Sequence, residues 1–116
     1  MVDKENIKRW RFDKKIYVSH IFQGKDENVK RIENIVKTLV KEHPNFMFVS
    51  PVHCTGFLYD CTEYEQGLSM TIELLKMCDE IWVFDDYSDS EGVNYEIEYA
   101  KEHNIPIKKF PKFHCF

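Results

Sequence analysis

A chain of 116 residues has room for one hydrophobic core and not for two, and 43% hydrophobic with 31% charged residues is the balance of an ordinary globular domain. A formal net charge of −4 argues against a surface built for a phosphate backbone, so no nucleic-acid polymer is expected as a partner. No apolar run approaches the ~20 residues of a membrane span and no signal-peptide core is visible, so a cytoplasmic protein without a membrane partner is expected.

Residues 1–14 form a basic leader, and Lys4, Lys8, Arg9, Arg11, Lys14 and the adjoining Lys15 crowd the N-terminus. It reads as a solvated approach to the first strand, with a local basic patch as the other reading. "KIYVSHI" (Lys15–Ile21) is a short β-branched and aromatic strand. After Gly24, the residues Val29, Ile32, Val36, Leu39 and Val40 make one apolar stripe, predicting a helix from Asp26 to Glu42 with Asp26 as its cap.

"NFMFVSP" (Asn45–Pro51) is a second strand, closed by Pro51, and Val52–Cys61 reads as a loop. Thr62 with Glu65 predicts a capping box opening a helix that repeats Leu68, Ile72 and Leu75 on one face. "EIWVFD" (Glu80–Asp85) is a near-continuous apolar run, as in a strand buried on both faces. Ser88 with Glu91 suggests another capping box, for a helix over Ser90–Glu102 with Asn104 as its C-terminal cap. "IPIKKF" (Ile105–Phe110) is the last strand, and 111–116 is an aromatic tail.

Strict β-α alternation with short connections predicts an α/β fold: a single three-layer domain over 15–110, with about four parallel strands flanked by helices, Rossmann-like or flavodoxin-like. The four cysteines show no C-x-x-C, and His53, Cys54 and Cys61 match no zinc spacing, so no metal is expected. Neither G-x-G-x-x-G nor a P-loop is present, and no cofactor is expected.

In open parallel sheets, ligands bind where the strands end and the helices begin. Three segments meet there: "SHIFQG" (Ser19–Gly24), "SPVHCTGF" (Ser50–Phe57) and "DDYSDSEG" (Asp85–Gly92). They offer His20, Gln23, His53, Asp85, Asp86, Ser88 and Ser90, with Glu96 on the helix that follows. Gly92 stands four residues before Glu96 on the same helix face. Either it is a packing glycine beside a solvated glutamate, or it clears the face so that a ligand reaches the carboxylate. The positive helix end would favour the ionised form of Glu96, as a nucleophile or electrostatic stabiliser requires.

"KIYVSHIFQG", "FVSPVH", "LLKMCDEIWVF" and "SEGVNYEIEYAKEHNIPI" together resemble the nucleoside 2-deoxyribosyltransferase-like superfamily, above all its small phage- and prophage-type branches. The likeness runs over Lys15–Phe110 and is most specific in Ser90-x-Gly92-x-x-x-Glu96-x-x-x-Ala100. It implies a small-molecule nucleoside or nucleotide as partner and cleavage or transfer of an N-glycosidic bond, with Glu96 at the anomeric carbon. It further implies that Ser90 contacts the sugar or its 5′-phosphate, as in monophosphate-using members, and that Tyr17 and the loop through Gly24 line the pocket. Such proteins are homodimers or higher homo-oligomers. Their proton-donating aspartate stands eight residues before the position of Asp79, which here is Thr71. Asp85 or Asp86 would then take its place, or the chain would be a non-catalytic binding module for a nucleotide or nucleotide-derived signal.

Overall fold

The computed structural model describes residues 9–115; Lys4, Lys8 and the rest of residues 1–8 lie outside the described residues. The elements follow the order β1 (Lys14–Ser19), α1 (Asp26–Glu42), β2 (Phe46–Val49), α2 (Pro51–Thr55), a 3₁₀ turn (Gly56–Leu58), α3 (Tyr64–Lys76), β3 (Glu80–Phe84), α4 (Glu91–Glu102) and β4 (Ile107–Phe110). All strands pair in parallel, in the order β2-β1-β3-β4. This is the expected α/β domain.

Against the expectation of one core, strand alternation divides the apolar interior of this single domain into two clusters, one on each face of the sheet. Ile16, Val18, Trp82 and Phe84 point to the face covered by α1, where they meet Ile32, Ile35 and Leu39. Tyr17, Ile81 and Val83 point to the other face, against Ile72 and Leu75 of α3 and Val93, Ile97 and Ala100 of α4. β3 is buried at every position, as its unbroken apolar run predicts. Phe113 and Cys115 of the tail pack against the α1-side core, next to Phe84 and Phe110.

Local boundaries differ from the sequence reading in instructive ways. Asp26 is the first helical residue of α1 and not its cap; Lys25 holds the cap position without a side-chain bond. Pro51 starts a helix, because a proline lacking N–H is well placed at a first helical position. Ser50 caps that helix by accepting from the His53 N–H, so part of the expected loop is helical. Neither predicted capping box forms: Thr62 donates its hydroxyl to the Leu58 carbonyl, and Ser88 donates its own to Asp86. Ser90 is the true cap of α4, its Oγ accepting from the Val93 N–H at 3.2 Å.

At the far end of α4, Asn104 adopts φ +57°. Ile105 N–H reaches the Ala100 carbonyl at 2.9 Å and Asn104 N–H that of Lys101 at 3.4 Å, a Schellman ending. Chain direction diverges at β1 and β3: one neighbour of β1 is reached through α1, the other through α3. The crevice at the carboxyl ends of these two central strands is therefore the switch point where a ligand site belongs.

Candidate functional site

A cleft of about 580 Å³ opens at that switch point, bounded by His20, Phe22 and Gln23 after β1, by α2 and Tyr59, and by facing sides of α3 and α4. Glu96 lines it although only 6% exposed. Its carboxylate is held from behind by β1, where Tyr17 and Ser19 project side by side because they are two residues apart on a strand. The Tyr17 hydroxyl donates to Glu96 Oε2, and the Ser19 hydroxyl donates to Oε1 at 2.9 Å.

Burial pushes the Glu96 carboxyl above its ordinary range, against the opposing bonds from Tyr17 and then Ser19. The helix end therefore does not by itself keep Glu96 ionised; desolvation outweighs it. Tyr17 is displaced upward too, first by burial and then by the Glu96 charge, so its hydroxyl keeps its proton and serves as a fixed donor.

Gly92 is the second residue of α4 and lines the cleft. A methyl built on it would meet nothing nearer than Leu68 Cδ1 at 3.9 Å and Ser90 Oγ at 4.0 Å, which is ordinary contact. Gly67 of α3 also lines the cleft, and a methyl there would meet only Thr62 Oγ1, at 3.5 Å. Neither glycine is demanded by packing between protein groups. Both leave room on the cleft side of a helix.

Gly24 is different. Phe22–Lys25 is a turn closed by the Lys25 N–H on the Phe22 carbonyl, with Gln23 at φ +53° and Gly24 at φ +67°. A side chain on Gly24 would also come within 2.8 Å of the Tyr59 ring. This turn places Gln23 in the cleft, and Tyr59 packs edge-to-face on Phe22 to form one wall.

The other sequence candidates divide into groups. His20, Gln23, Ser90, Gly92 and Glu96 line the cleft together, and Thr71 lies beside Glu96. Gly24 and His53 line a neighbouring hollow of about 380 Å³. There His53 lies 2.7 Å from Ser50 Oγ and 3.0 Å from Glu33. Asp85, Asp86 and Ser88 are not among the residues lining either space.

Asp85 adopts φ +63° at the end of β3 and receives a two-pronged bond from Arg31, Nε to Oδ2 at 2.8 Å and Nη2 to Oδ1 at 2.9 Å. His20 Nε2 lies 2.9 Å from Asp85 Oδ2. Burial alone would raise this carboxyl, yet the bonds from Arg31 and then His20 hold it below the usual range. Asp86 is held low by the Ser88 N–H and hydroxyl. Carboxylates so held are poor proton donors, which suits Asp85 to positioning His20 and not to replacing an acid. Among the described residues, no group of three His, Cys, Asp or Glu side chains is placed to hold a metal ion. No helix there is long and apolar enough to cross a membrane.

Sequence reasoning missed Ser19, Gly67, Tyr59 and Tyr64. The i, i+2 spacing from Tyr17 could have found Ser19, and the Tyr64, Gly67, Thr71 spacing of α3 could have found a second cleft-facing helix.

No curated protein matches the chain in sequence. Among solved structures, the fold is similar to that of a 2-deoxyribosyltransferase from the psychrotolerant bacterium Bacillus psychrosaccharolyticus, described as a biocatalyst for the synthesis of nucleosides. The TM-score is 0.63 at 18% identity, over 86% of this chain and 76% of that one, and it establishes shared architecture. A family model matches residues 14–110, nearly the whole folded region. The chain belongs to the family described as Domain of unknown function (DUF7768).

Proposed function

We propose that the cleft binds an N-glycoside of the nucleoside class and that Glu96 acts at the anomeric carbon to cleave or transfer the glycosidic bond. The observation that carries this reading is a buried carboxylate at the switch point, oriented by two hydroxyls and lying one turn along α4 from a cleft-lining position that Gly92 leaves bare. As the C–N bond breaks, positive charge builds on the sugar, and a carboxylate in a water-poor site stabilises it far better than in bulk solvent. Tyr17 and Ser19 fix the carboxylate before the substrate arrives, so no reorganisation is needed at the moment of reaction. The fold shared with a 2-deoxyribosyltransferase supports the same reading.

A binding module without turnover is favoured by one observation: both Glu96 oxygens already accept a hydrogen bond. Incubation of the purified protein with nucleosides and their monophosphates, followed by chromatography of the released base, decides between them. Turnover is expected, with its loss in Glu96→Ala. Tight binding of one compound with no base released would leave the module, and unchanged release in Glu96→Ala would refute the role of Glu96.

A further inference from the structure

The charge of the cleft narrows what it can hold. Its described lining includes four carboxylates, Glu63, Asp89, Glu91 and Glu96, and no Lys or Arg. The one basic side chain, His20, is occupied at both ring nitrogens, Nδ1 lying 2.7 Å from the Ile21 carbonyl and Nε2 against Asp85. Arg31 is spent on Asp85, on the Phe113 carbonyl at 2.6 Å and on Cys115 Sγ at 3.2 Å. A 5′-phosphate would find no Lys or Arg in this lining, and carboxylates of its own sign on both sides of the first turn of α4. A cation would find carboxylates together with the rings of Phe22, Tyr59 and Tyr64.

The proton inventory points the same way. A neutral base leaves a sugar readily only when it is protonated, yet Thr71 beside Glu96 donates its hydroxyl to the Leu68 carbonyl at 2.8 Å and both His20 nitrogens face acceptors, so neither of these two is a spare acid at the floor of the cleft. A base already carrying a fixed positive charge needs no proton. When its C–N bond breaks, both electrons stay on nitrogen and the base departs neutral. Water then adds to the anomeric carbon and releases one proton, so charge and atoms balance.

We propose that the cleft selects N-glycosides whose base is a cationic heteroaromatic ring, of the N-alkylpurinium or pyridinium type, and turns away their 5′-phosphates. This rests on the cleft being an N-glycoside site. The test is calorimetric binding to the full chain at pH 6 of guanosine, 7-methylguanosine, 7-methylguanosine 5′-monophosphate and nicotinamide riboside, with released base followed in parallel. The cationic nucleosides are expected to bind about tenfold tighter than guanosine, the scale of a partly desolvated cation–ring and charge interaction. The phosphate should remove that gain, and Glu91→Gln with Asp89→Asn should shrink it. Guanosine or the monophosphate binding as well as 7-methylguanosine would overturn this inference while leaving the nucleoside site standing. Binding of none of the four would overturn the nucleoside site itself, and this inference with it.

Discussion

Tyr17 and Glu96, 79 residues apart in the chain, are joined by a hydrogen bond in which the β1 phenol donates to the α4 carboxylate. The contact crosses from the sheet to the helix layer at the floor of the cleft. It ties the group proposed to act on the ligand to a central strand paired on both sides.

Glu96 makes stability depend on pH in a defined direction. Its folded-state carboxyl is raised above the ordinary 4.5 by burial, so the folded chain holds this proton where the unfolded chain has lost it. Stability should therefore fall as pH rises from about 4.5 through the raised value. Glu96→Gln keeps the shape and removes the ionisation, so urea midpoints from pH 4 to 8 should lose this decline while base release disappears. An unchanged slope would show that the carboxyl is not desolvated.

Tyr17→Phe deletes the strongest of the bonds that oppose burial at Glu96 and changes the core volume little. The carboxyl should rise further, and the acidic limb of the base-release profile should move to higher pH. A profile that keeps its position with a reduced plateau would mean that Tyr17 only fills space.

Gly92→Ala separates service to the ligand from service to the fold. The new methyl meets only ordinary contacts, so the helix should gain about 0.4–1 kcal/mol. Nucleoside affinity should drop about tenfold or more, the scale of overpacking a fitted site. A destabilised variant with intact affinity would make Gly92 a packing residue.

Asp85→Asn weakens the two-pronged bond to Arg31 and the contact to His20. The pair is partly exposed, so a loss of about 1–2 kcal/mol is expected in chemical denaturation. Because Arg31 also holds the Phe113 carbonyl, the tail amides should exchange faster with deuterium. Unchanged exchange at residues 111–115 would show that the tail is held by its aromatic packing alone.

The sheet was legible because each strand states its environment. β3 is apolar throughout and is buried throughout, and the Ile16, Tyr17, Val18 alternation feeds two cores. Helix starts were less legible, because Thr62, Ser88 and Ser90 all carry capping hydroxyls and only Ser90 finds a helix N–H; the others bond within their own turns. Glu96 with Gly92 could be read from spacing, as could the meeting of three loops. The burial of Glu96 could not, since it depends on Ser19 and Tyr17 arriving from a strand almost eighty residues away. Asp85 looked available in sequence because its partner Arg31 lies 54 residues earlier, on α1.

The tail carries a consequence for how this domain is handled. Among the described residues, α1 is the one long helix on the face of the sheet that presents Trp82, Phe84 and Phe110, and Phe113 stands edge-on to the last two. The family match stops at 110, but Phe113 and Cys115 beyond it still pack against the α1-side core. A version trimmed to the matched region would carry an open aromatic seam beside its sheet edge, and its solubility would report on the trimming and not on the native protein.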